Sequence, residues 1–163
     1  MKVHTILAAA IASVLGLVGC QELFDKDTSQ VKAQIGATVA ETSKAYEDFP
    51  KTLDRFSILK HYTTDYTGVK DGAPETIKNL ENFFDDLAEQ IKLGDPIGTS
   101  YKITDLKIEA LTDRLAWMTY QDETKWGRSG AILGDIKMRC TTLLRKEGGN
   151  WRVFHEHCST VSG

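Results

Sequence analysis

Nowhere does this sequence gather Lys and Arg into a patch, and the whole chain carries 20 basic against 23 acidic residues, a formal charge of −3. Phosphate backbones are held by clustered cations, so this balance argues against a nucleic-acid partner. Low-complexity tracts and internal repeats are absent, which removes linker, fibre and solenoid architectures. Gly-x-Ser-x-Gly elbows, phosphate loops and Cys-x-x-Cys pairs are missing too. Cysteine is limited to three residues, Cys20, Cys140 and Cys158. What remains is ordinary: 41% hydrophobic and 26% charged residues in 163. That is the composition and length of one globular domain.

The N-terminus differs from the rest. Lys2 supplies a positive charge, Ile6 to Val18 is an unbroken run of 13 apolar and small residues, and Leu17-Val18-Gly19-Cys20 closes it. A bilayer core takes about 20 residues to cross, so the run suits a secretion signal rather than an anchor. Its close resembles the lipobox of bacterial lipoproteins. The resemblance implies cleavage before Cys20, diacylglycerol on its sulfur, and attachment through lipid to the bacterial cell envelope. Gln21 in place of Asp implies the outer membrane, facing the periplasm. The expected organisation is a signal peptide over 1–19, a lipidated tether over 20–29 and one domain over 30–160.

In the mature part, Thr28 or Ser29 is placed to cap a first helix. Its apolar stripe is Val31, Ile35, Val39, Thr42 and Tyr46, ending at Phe49-Pro50. Thr52 predicts a second, shorter helix through Lys60, and a short strand is expected near Tyr66. Pro74 predicts the start of a third helix, stopped by Gly94-Asp95-Pro96. Beyond Gly98 the period becomes alternating. Strands are predicted over 101–108, 115–126, 136–146 and 151–158, with 127–134 as a longer loop and a turn at Gly148-Gly149-Asn150. Helices followed by strands make an α+β fold.

The tail from Thr141 to Ser159, with its glycine turn, Trp151 and the His155-Glu156-His157 strand, resembles the closing hairpin of SnoaL-like domains in the nuclear-transport-factor-2-like superfamily. Tyr62-Thr63-Thr64-Asp65 after the second helix agrees. The resemblance implies a cone-shaped fold of about three N-terminal helices on a curved, mainly antiparallel sheet of roughly four to five strands. The superfamily contains isomerases, cyclases, dehydratases, binding proteins and oligomerisation modules, so fold alone does not give activity.

Alternation along the last strand puts His155 and His157 on one face with Trp151 and Val153. If that face is concave, both histidines line a cavity as acid, base or ligand donor; otherwise one is a hydrogen-bonded structural residue. Two histidines lack a third ligand at any useful spacing, so no metal is expected, nor any cofactor. The resemblance to ketosteroid isomerase puts Tyr46 at that family's tyrosine position and Asp71 near its base, but Thr141 or Thr142 where it has a carboxylic acid. His155 and Asp71 are therefore the candidate catalytic groups. Tyr46, Tyr62, Trp126, His155 and His157 are the candidate pocket residues, and Phe83, Phe84 and Tyr120 read as wall or plain core. Once Cys20 is acylated two thiols remain, and a three-residue turn at 148–150 pairs Cys140 opposite Cys158 for a disulfide; a one-residue slip forbids it.

Three functions stay open: a lipid-anchored domain binding a small, partly apolar molecule; an acid–base enzyme using His155 or Asp71; and a homodimeric interaction module pairing through the sheet face, where Phe154, Leu144 and Arg152 are expected.

Overall fold

The computed structural model describes residues 9–94, 97–128 and 131–161. The first residues of the expected signal, the side chain of Cys20 and Ser129-Gly130 lie outside the described part. Helix α1 spans Ala9–Thr52. Val31, Ile35, Val39 and Phe49 are buried along one side of it. The helix does not begin at Thr28 or Ser29, because no Gly or Pro between Gln21 and Ser29 interrupts it. Pro50 falls inside its last turns rather than ending it. The break comes at Leu53, whose φ is 54° and whose N–H bonds Phe49 O at 2.8 Å. A single turn, α2 (Phe56–Leu59), follows. Its free N–H is capped by Asp54, not Thr52: Oδ1 accepts from Phe56 N at 3.0 Å.

Strands β1 (Tyr62–Lys70) and β2 (Ala73–Thr76) form a hairpin. Pro74 therefore sits in a strand opposite Val69 and does not open a helix. It is tolerated because β2 is the outermost strand of the sheet. Helix α3 (Ile77–Leu93) starts instead at a reciprocal cap in which Thr76 Oγ1 accepts from Asn79 N and Asn79 Oδ1 from Thr76 N. Leu80 and Phe84 are its buried face.

Four long strands complete the domain: β3 (Ile97–Ala110), β4 (Leu115–Arg128), β5 (Ala131–Glu147) and β6 (Asn150–Thr160). The sheet order is β2-β1-β6-β5-β4-β3, with β1 parallel to β6 and every other neighbour antiparallel. The class is α+β, with α1 laid against β3 and α3 against β1. Six strands replace the four or five expected: the short strand expected near Tyr66 is β1, lengthened over the polar run Thr63-Thr64-Asp65, and Pro74 hides β2. The stretch 127–134 is not a longer loop, since Arg128 pairs directly with Ala131. Gly134 makes this close packing feasible: a Cβ there would lie 2.0 Å from the ring of Trp126.

The β5–β6 hairpin sets which side chains face the helices. Its turn has two residues, Gly148 and Gly149, both at positive φ, and Glu147 pairs with Asn150. Pairing runs on to Leu144↔Val153 and then jumps to Leu143↔His155, leaving Phe154 as a bulge. The turn is one residue shorter than expected and the bulge restores that residue. Cys140 therefore still lies opposite Cys158, and the two are joined by a disulfide.

Candidate functional site

Between α1, α3 and the inner face of the sheet lies a cavity of about 610 Å³. Each wall follows from a periodicity. Helical spacing brings Tyr46 and Phe49 from α1 and Leu80, Phe84 and Leu87 from α3. Alternation along β4 brings Tyr120, Asp122, Thr124 and Trp126 onto one face. Tyr46 stacks on Tyr101 with ring centroids 4.7 Å apart and meets Phe84 at 5.7 Å. Phe83, still 57% exposed while lining the same space, stands at the mouth.

The floor is polar. Tyr120 OH and Thr142 Oγ1 both donate to Oε1 of Glu156, at 2.7 and 2.8 Å. Burial pushes the Glu156 carboxyl up, and those two donors oppose the rise only in part. Asp122, two residues from Tyr120 on β4, is pushed up to about 6, first by burial and then by the charge of Glu156. Its Oδ2 lies 4.0 Å from Cys140 Sγ, which is bonded to Cys158 and has no proton to give. Glu75 takes a hydrogen bond from Tyr66 OH at 3.0 Å, and Lys70 reaches the same cavity. The hydroxyls of Tyr46 and Tyr62 are 3.3 Å apart, and burial holds both phenols protonated, well above their usual range. The arrangement can hold a partly apolar molecule against aromatic walls. It can also exchange a proton with that molecule through a carboxyl that titrates near neutrality.

Residues 36–162 match the SnoaL-like domain family. The chain belongs to that family. No curated protein matches it by sequence. Among solved structures it is similar to the β subunit of benzoate 1,2-dioxygenase from Burkholderia mallei, with a TM-score of 0.67 and 13% identity over 79% of this chain and 89% of that one. It is also similar to a scytalone dehydratase-like protein from Novosphingobium aromaticivorans, with a TM-score of 0.63 and 11% identity over 82% of this chain and 89% of that one. A ketosteroid isomerase-like protein from Erwinia carotovora gives a TM-score of 0.57 and 19% identity over 80% of this chain and 96% of that one. Identities this low carry the nuclear-transport-factor-2-like fold and no activity.

In this SnoaL-like domain the cavity brings together Tyr46, Tyr62 and Trp126. His155 and His157 do not line it. The bulge at Phe154 reverses the alternation, so Glu156 and Cys158 turn inward with Trp151 and Val153 while the histidines turn outward. His155 Nδ1 lies 3.0 Å from Thr67 Oγ1 on the neighbouring parallel strand, and His157 is exposed. Leu144, expected on the outer face, is 1% exposed and belongs to the core for the same reason. Asp71 is also outside the cavity. It sits in the β1–β2 turn at φ 49°, accepting from N and Oγ1 of Thr160 at 2.6 and 2.7 Å, and these bonds hold its carboxyl below the usual range. A carboxylate so satisfied fastens the end of β6 and is a poor base. Among the described residues no three metal-ligating side chains cluster.

The groups that sequence reasoning missed are Asp122 and Glu156. Asp122 carried a signal: it lies two residues after Tyr120 and four before Trp126 on an alternating strand, so a face holding both aromatics holds it too. Glu156 carried none, because its inward direction depends on the bulge.

Proposed function

We propose that this SnoaL-like domain binds a small, partly apolar molecule between its helices and sheet, and that lipid on Cys20 holds it at the outer membrane facing the periplasm. The observation that carries the binding reading is the open cavity of about 610 Å³ with aromatic walls and a polar floor, a volume typical of small-molecule sites. The sequence around Cys20 supports the location. Native mass spectrometry of the protein purified from its own envelope tests the binding. The expected result is an added small-molecule mass that disappears in Thr124→Trp, where a half-buried wall residue is enlarged into the cavity. Finding each protein only at its own bare polypeptide mass would reject the reading.

A second reading, acid–base turnover of the bound molecule, is favoured by Asp122, raised to about 6 beside Glu156. These carboxyls take the role first given to His155 and Asp71. Under this reading Asp122→Asn keeps the bound mass and abolishes conversion of the isolated ligand; unchanged conversion in the variant removes Asp122 as the base, and no conversion by the wild type leaves a binding protein.

A further inference from the structure

Resting on that binding reading, we propose that the cavity selects an organic cation, an amine carried on an aromatic or apolar body. Charged groups on the lining are unequal: Glu75, Asp86, Asp122 and Glu156 against Lys70. Lys70 forms no ion pair among the described residues; its charge reaches Asp122 and Glu156 and favours their ionised forms, but one ammonium stands against four carboxyl groups. An anionic ligand would enter a space dominated by its own sign.

The hydrogen-bonding inventory points the same way. A carboxylate can only accept. Both donors the protein supplies to Glu156 converge on Oε1. The Asp122 carboxylate has no proton donor among the described residues, since the sulfur 4.0 Å from its Oδ2 is locked in a disulfide. The hydroxyl of Tyr101, a half-buried side chain that lines the cavity, has no partner among the described residues either. These acceptors lie within one concave surface. An ammonium brings three donors and the missing charge together.

The walls suit the remainder of such a molecule. Tyr46 and Tyr101 form a stacked pair, Phe84 closes against Tyr46, and Trp126 faces in from β4. Aromatic faces attract cations through their quadrupole and bury apolar carbon equally well. The amine then sits at the Asp122–Glu156 floor with its body between α1, α3 and β4.

Titration calorimetry of the full chain with three probes of one shape tests this: phenethylamine, 2-phenylethanol and 3-phenylpropionate, at neutral pH. The expected order is amine at least tenfold tighter than alcohol, with no detectable binding of the propionate. Asp122→Asn should weaken the amine about tenfold and the alcohol far less, and the alcohol then reports that the variant has kept its cavity. Equal affinity for amine and alcohol, or tightest binding of the propionate, overturns charge selection and leaves small-molecule binding standing. If none of the three binds at millimolar concentration, charge selection is again overturned, and the native mass of the envelope protein then decides separately whether the binding reading falls with it.

Discussion

At the scale of single residues, Asp122 is a half-buried carboxyl of the cavity lining that weakens the fold. Its carboxyl ionises at 3.8 in the free state and at about 6 in the folded chain. Between those values the folded state keeps a proton that the unfolded chain has lost. This group's contribution to stability is therefore greatest below pH 3.8 and declines as pH rises through 6. Asp54, Asp65 and Asp71, all lowered by hydrogen bonds, work in the opposite direction and lose their contribution on acidification. Comparing the wild type with Asp122→Asn isolates the one group. After allowance for solvent screening on its open side, the variant should be about 1–2 kcal/mol more stable at pH ~8 and the two should converge at low pH, as read by urea denaturation. A constant difference across pH would show that Asp122 ionises alike in the folded and unfolded chain. A stability deficit removed by an amide is the mark of a site kept for function.

Among the elements, the β5–β6 hairpin decides most. Val31, Ile35 and Val39 were readable as a buried helical stripe because nothing in the sequence competes with that period. The four long strands were readable because alternation holds over many residues. The two histidines were assigned to the wrong face because alternation was carried straight through Phe154, and a bulge has no signature when the inserted residue is itself apolar. Pro74 was misplaced because proline suits a first helical turn and an edge strand equally well. Deleting Phe154 tests the bulge. If the residue is extra to the ladder, Cys140 stays opposite Cys158 in the shortened chain, and titration with a thiol reagent finds as many free thiols as in the wild type. If Phe154 were an ordinary ladder residue, its loss would move Cys158 to the other face and two more thiols would appear. The cost should be small, since Phe154 loses only a stacked guanidinium, Arg145, 5.4 Å from its ring centre.

For the whole molecule, attachment and folding are separate problems. Among the described residues no helix is long and apolar enough to cross a membrane. Under the proposed lipid anchor, retention rests on two or more acyl chains at Cys20, each buried methylene contributing about 0.8 kcal/mol. Cys20→Ser should move the protein from the membrane pellet to the soluble fraction and end its labelling by fatty acid, while leaving the cavity able to bind; a variant still labelled and pelleted would place the anchor elsewhere.

The Cys140–Cys158 disulfide closes a short loop, stabilising the chain by roughly 3 kcal/mol. Yet that crosslink does not proofread the hairpin. A three-residue turn without a bulge has the same number of residues between Glu147 and Cys158 and the same half-cystine pairing. It differs only in turning Arg152 and Phe154 inward where Trp151 and Val153 belong. What rejects the impostor is the buried indole of Trp151, its Nε1 donating to Gln34 Oε1 at 3.2 Å, against the cost of putting a guanidinium in its place. The docking of α1, and not oxidation, is thus the quality check, and a fully oxidised sample can still contain a misthreaded isomer.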